Sequence, residues 1–70
     1  MIKYPECDER DILLCEMIVA DNKGKIHRKK CVFCKAEEKD DIEWVLKKLK
    51  LESAKSIEIK AEKVIGRKNA

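Results

Sequence analysis

Cys31-Val32-Phe33-Cys34, with Cys7 and Cys15 upstream, constrains this chain more than any other feature. The chain has 70 residues. At that length a hydrophobic core alone rarely supplies more than about 3–5 kcal/mol of net stability, so a metal or disulfide staple would carry a large share of folding. Two thiolates at C-x₂-C spacing suit a metal, because a tight turn aims both sulfurs into one tetrahedron while backbone amides hydrogen-bond to them. The compartment decides between metal and disulfide. Met1-Ile2-Lys3-Tyr4-Pro5-Glu6 meets a cysteine and then acids before any apolar run, and the longest apolar stretch, residues 12–20, is broken by Cys15-Glu16. That is not the pattern of a secretory signal. The expected location is therefore cytoplasmic, where thiols stay reduced and zinc is favoured over disulfides. Hyperthermophile cytoplasm is the exception, and the composition is thermophile-like: 44% of residues are charged, nearly all of them Lys, Glu or Asp.

Hydrophobic periodicity places the cysteines on elements. Residues 1–11 form an N-terminal lead-in with a turn at Pro5. The apolar, partly β-branched residues 12–20 read as a strand, and Asp21-Asn22-Lys23-Gly24 suits a three-residue hairpin loop with glycine in the left-handed position. The loop pairs Asp21 with Lys25. Counting back sets Cys15 opposite Cys31, with Cα atoms about 5 Å apart, and also sets Glu16 against Lys30 and Val19 against His27. The cysteine-bearing hairpin spans residues 12–34, its second strand running from Lys25 to about Val32. The period then changes. Ile42, Val45, Leu46 and Leu49 recur at helical spacing, with Asp40 and Asp41 placed to cap the N-terminus and Lys47, Lys48 and Lys50 near the other end, which predicts a helix over residues 40–51. Residues 56–65 are two-sided: Ile57, Ile59 and Ala61 alternate as in a strand, whereas Ile57, Ala61, Val64 and Ile65 fit one helical face. Strand is favoured, and the last residues, 67–70, are expected to fray. The fold class is a single small α+β domain of β-hairpin, helix and strand, stapled by a zinc-ribbon-like cysteine site.

The chain resembles a zinc ribbon only over Cys31 to Cys34 and the hairpin before them, since Cys7-x₇-Cys15 is not a second knuckle. The leading ligand set for a structural zinc ion is Cys7, Cys15, Cys31 and Cys34. The alternatives are a disulfide, Cys15–Cys31 or Cys7–Cys34, or cysteines that pack as small buried hydrophobes. His27 is an alternative ligand to Cys7, though a solvated or nucleic-acid-facing histidine is the commoner case. A thioredoxin-like use of Cys31 and Cys34 is disfavoured, because residues 35–39 separate the pair from the helix.

Two surfaces carry the functional reading. Lys25, His27, Arg28, Lys29 and Lys30 lie on the second strand, with Lys25, His27 and Lys29 on one face and Arg28 and Lys30 on the other. A basic ribbon of this kind fits a DNA groove or a phosphate backbone; it also fits a hairpin that uses lysines to discourage edge pairing. Only Tyr4, Phe33 and Trp44 are aromatic, so base-stacking platforms are not expected. Trp44 lies outside the apolar stripe of the helix; with Leu51 it offers a protein-interface patch for a partner or a homodimer, or it packs at the edge of a thin core beneath the N-terminal segment, the commoner fate in so small a domain. No arrangement of residues supports catalysis, a small-molecule substrate or membrane insertion. The expected function is a zinc-binding accessory protein that contacts DNA or RNA, or regulates transcription, through its basic hairpin. The alternative is a protein-binding inhibitor or regulatory module that uses the helix patch or a strand edge.

Overall fold

A three-residue turn, Asn22-Lys23-Gly24, organises the structure, a computed structural model that describes residues 1–69. Gly24 takes φ +85°, and Asp21 accepts the N–H groups of Lys23 and Lys25 at its Oδ1, each at 2.9 Å. The Asp21 N–H in turn donates to the Lys25 carbonyl at 2.9 Å. The elements in chain order are β1 (Ile2–Lys3), β2 (Asp11–Ala20), β3 (Ile26–Cys34), a 3₁₀ turn (Lys35–Glu37), α1 (Glu38–Lys48) and β4 (Ser56–Arg67). Together they form a small α+β fold, a four-stranded mixed sheet of order β1-β4-β2-β3 plus one helix. The hairpin register is the expected one from end to end, including Cys15 opposite Cys31, Glu16 opposite Lys30 and Val19 opposite His27.

Residues 56–65, left between strand and helix by their periodicity, lie within a strand that pairs antiparallel with β2 along its length. The register jumps from Cys15–Ala61 to Leu14–Lys63 and again from Leu13–Val64 to Ile12–Gly66, so Glu62 and Ile65 are the extra residues of two bulges. Each bulge shifts the phase of alternation, which is why Val64 and Ile65 fall next to each other and imitate a helical face. Arg67 and Lys68, expected to fray, are tied down. Arg67 pairs with Asp11 and the Lys68 N–H donates to the Arg10 carbonyl at 2.8 Å; the expected fraying at Ala70 lies outside the described residues.

One face of the sheet carries the core. Leu13, Cys15, Met17 and Val19 of β2, Cys31 and Phe33 of β3, and Ile57 and Ile59 of β4 are buried with Val45 of α1, and Ile42, Leu46 and Leu49 pack around them. The other face bears Ile12, Leu14, Glu16 and Ile18 and is only half-buried. β1 was not foreseen; it pairs Ile2 and Lys3 in parallel with Ile57 and Glu58.

The helix differs from its expected span of 40–51 at both ends. It starts at Glu38, because the 3₁₀ turn leads straight out of β3, and Asp41 is spent elsewhere. Its end is a Schellman cap: Lys50 is left-handed at φ +60°, its N–H donates to Lys47, and the Leu51 N–H reaches the Leu46 carbonyl at 2.9 Å. Lysine in that conformation costs about 1–2 kcal/mol, which glycine avoids at the expense of greater freedom in the unfolded chain. Lys50→Gly is therefore expected to stabilise the protein by about 0.5–1 kcal/mol, seen as a higher urea midpoint at unchanged slope.

Candidate functional site

β3 lies at the edge of the sheet, and its hydrogen-bonding phase follows from the turn. Asp21 and Lys25 bond to each other, so in an antiparallel ladder the odd-numbered residues of β3 face β2 and the even-numbered ones turn their N–H and C=O outward. Two other bonds agree with that phase. The Ala20 carbonyl turns the other way, accepting the Lys55 N–H at 2.8 Å, and the outward N–H of Cys34 donates to Asp41 Oδ2 at 2.8 Å. Asp41 thus closes one end of the edge. Burial pushes its carboxyl above the usual range, with the Cys34 N–H acting against that shift and Glu37 and Asp40 reinforcing it. Ile26, Arg28, Lys30 and Val32 are left with outward backbone groups that no other described strand covers.

The basic side chains of this strand are largely matched by acids. His27 Nε2 sits 3.0 Å from Asp21 Oδ2, Arg28 reaches Glu16 at 3.2 Å, and Lys30 crosses the sheet to Glu62 at 3.0 Å. Glu62, one of the bulge residues, raises the Lys30 pKa. Register placed Lys30 opposite Glu16, but the ion pair forms with its diagonal neighbour Arg28. Lys25 is exposed beside the turn and Lys29 half-buried at the rim of the helix-covered face; neither has an acid within ion-pair distance among the described residues.

The four cysteines do not assemble into a zinc-ribbon site. β3 runs extended through Cys34 without a turn, so Cys31 and Cys34 project to opposite faces of the sheet. Cys15 and Cys31 meet in the core, with Sγ atoms 3.5 Å apart. Cys34 donates instead to the Glu9 carbonyl, also at 3.5 Å, and Cys7 packs half-buried against the core edge. Among the described residues no three His, Cys, Asp or Glu side chains converge as metal ligands. A four-thiolate tetrahedron does not fit this geometry, and His27, engaged by Asp21, does not complete one. The thiol of Cys15, bonded to the Cys31 sulfur, pulls Cys31 below the usual thiol range, while that bond and burial push Cys15 above it.

The expected Trp44–Leu51 patch does not form. The Schellman cap folds Leu51 back onto Leu46 and the core, whereas Trp44 stays 46% exposed with the Lys48 ammonium 5.5 Å from its ring centre. Trp44 instead lines a hollow of about 360 Å³ with Cys31, Val32 and Asp41. Sequence reasoning missed Asp41 and Glu62 as site residues; Asp41 read as a helix cap, and no local signal marks Glu62 as a bulge. No helix among the described residues is long and apolar enough to cross a membrane. No protein-family model, curated protein or solved structure matches the chain.

The carboxyl of Asp21 is held below its usual range, first by His27 and then by the Lys25 and Lys23 amides. A depressed carboxyl stabilises the fold above its unfolded pKa of about 3.9 and loses that contribution as pH falls through the lower folded value. Asn at this position keeps the Oδ1 acceptor for both amides but removes the charge and the Oδ2 acceptor that faces His27. Asp21→Asn is therefore expected to lower Tm slightly at pH 5–6, with the deficit shrinking as the pH falls below about 4, in melts across that range.

Proposed function

We propose that this chain is a protein-binding module that captures an extended, acidic segment of a partner along the open edge of β3. The observation that supports it is the run of outward backbone groups from Ile26 to Val32, a template for one more strand. Ile26 and Val32 are 53% and 49% exposed on the face away from the helix, so apolar side chains of an added strand would meet apolar neighbours there. Charge selects the occupant. From Lys23 to Lys35 the chain holds seven basic residues, counting His27, and no acid. A second copy pairing edge to edge would set cation against cation, whereas an acidic strand would find Lys25 and Lys29 available and the other cations close by.

A second reading, nucleic-acid binding by the same hairpin, draws on the exposed Lys23 and Lys25 at its tip. It is weakened by the acids already paired with Arg28 and Lys30, which reduce the cations free for phosphate contacts.

The test separates backbone pairing from charge. The probes are a peptide of alternating valine and glutamate, its valine–lysine counterpart and a short DNA duplex. The acidic peptide is expected to bind, shifting the NMR amide signals of Arg28, Lys30 and Val32 and slowing their hydrogen exchange. Lys30→Pro removes one outward donor and leaves the β2 ladder in place. Relative to Lys30→Ala, which loses the same charge but keeps the N–H, it should weaken the peptide about tenfold, the equivalent of one hydrogen bond. Equal affinity of the two variants, in protein whose spectra remain folded, would overturn the proposal. Salt-sensitive retention of the duplex, lost on reversing Lys25 and Lys29, would put the second reading in its place.

A further inference from the structure

We propose that Cys15 and Cys31 form a redox-active dithiol, which a small-molecule disulfide converts to a cross-strand disulfide joining β2 to β3. The two residues are directly opposite in the register and their sulfurs lie 3.5 Å apart, so side-chain rotation brings them to the bond length of about 2 Å. The remaining cysteines are placed differently. Cys34 projects to the other face toward Glu9, and Cys7 lies at the edge of the core.

Access decides the order of events. Cys15 has no exposed surface, whereas Cys31 is 8% exposed and lines the hollow beside Val32, Asp41 and Trp44. A hollow of about 360 Å³ is at the small end of ligand sites, and it is open to solvent with Cys31 in its lining. The Cys31 thiolate attacks one sulfur of the incoming disulfide and expels the first thiolate, leaving a mixed disulfide on Cys31. Cys15 then attacks Cys31 Sγ and expels the second thiolate, which takes up the Cys15 proton as it leaves. Two protein thiols are oxidised and one small-molecule disulfide is reduced to two thiols. The product closes the hairpin covalently, independently of whether β3 takes up a partner strand.

The experiment exposes the native chain to oxidised glutathione and follows free thiols, intact mass and a non-reducing peptide map. Two of the four thiols are expected to disappear. The map should join the peptides of Cys15 and Cys31, and Tm should rise by about 10 °C or more, as expected for closing a loop of roughly 15 residues in a small domain, then return with dithiothreitol. Cys15→Ala should stop at a single glutathione adduct on Cys31, and Cys31→Ala should leave Cys15 unmodified while folded. Four thiols surviving excess oxidant would overturn the proposal, as would a link that maps to Cys7–Cys34 or between chains. The map of the unsubstituted chain decides the matter even if an alanine variant fails to fold.

Discussion

The register set by one glycine-containing turn is the constraint on which the rest of this structure depends. With Gly24 left-handed and Asp21 holding the Lys23 and Lys25 amides, β2 and β3 can pair in only one frame. A slip by one residue would turn Leu13, Met17 and Val19 out of the core and charged Glu16 into it. The same frame sends the backbone groups of Arg28, Lys30 and Val32 outward and brings Cys15 to Cys31. The core, the open edge and the thiol pair are three consequences of one local geometry.

β4 contributes the second constraint. By inserting between β1 and β2 it turns a hairpin into a sheet and buries Ile57 and Ile59 beneath Val45. The two bulges let twelve residues of β4 follow ten of β2, and they bring Glu62 within reach of Lys30 across the strand between them. Charge patterning along the chain is thereby rewritten in space, since a strand whose charged residues are all basic has acids beside several of them. This is also why the proposed role rests on backbone pairing at the edge rather than on a cationic ribbon.

How much of the site was legible depended on whether local geometry defined it. The opposition of Cys15 and Cys31 followed from counting residues around a recognisable turn. The apparent metal pair Cys31 and Cys34 did not survive, because spacing reports separation along the chain and says nothing about whether a turn or a strand connects the two; in an extended strand residues three apart face opposite ways. Trp44 and Leu51 were placed together by helical geometry that ends too soon. The left-handed Lys50 ends the helix and sends Leu51 inward. Asp41 was legible as a helix-start acid but not as the group that closes the edge at Cys34, a contact that depends on where the 3₁₀ turn aims the helix.

What the sequence determined by itself was therefore local: the hairpin, its frame, the apolar stripe of the helix and the alternation that makes β4 a strand, each dictated by φ/ψ preference and side-chain period within about ten neighbouring residues. What only the tertiary structure decided was non-local. The central place of β4, the bulges that bring Glu62 to Lys30, the capture of Cys34 by Asp41 and Glu9, and the dispersal of four cysteines into one pair and two separate thiols all depend on which strands become neighbours. That choice is made by burying the apolar faces of three strands and a helix together, a collective free energy that no single window of the chain contains.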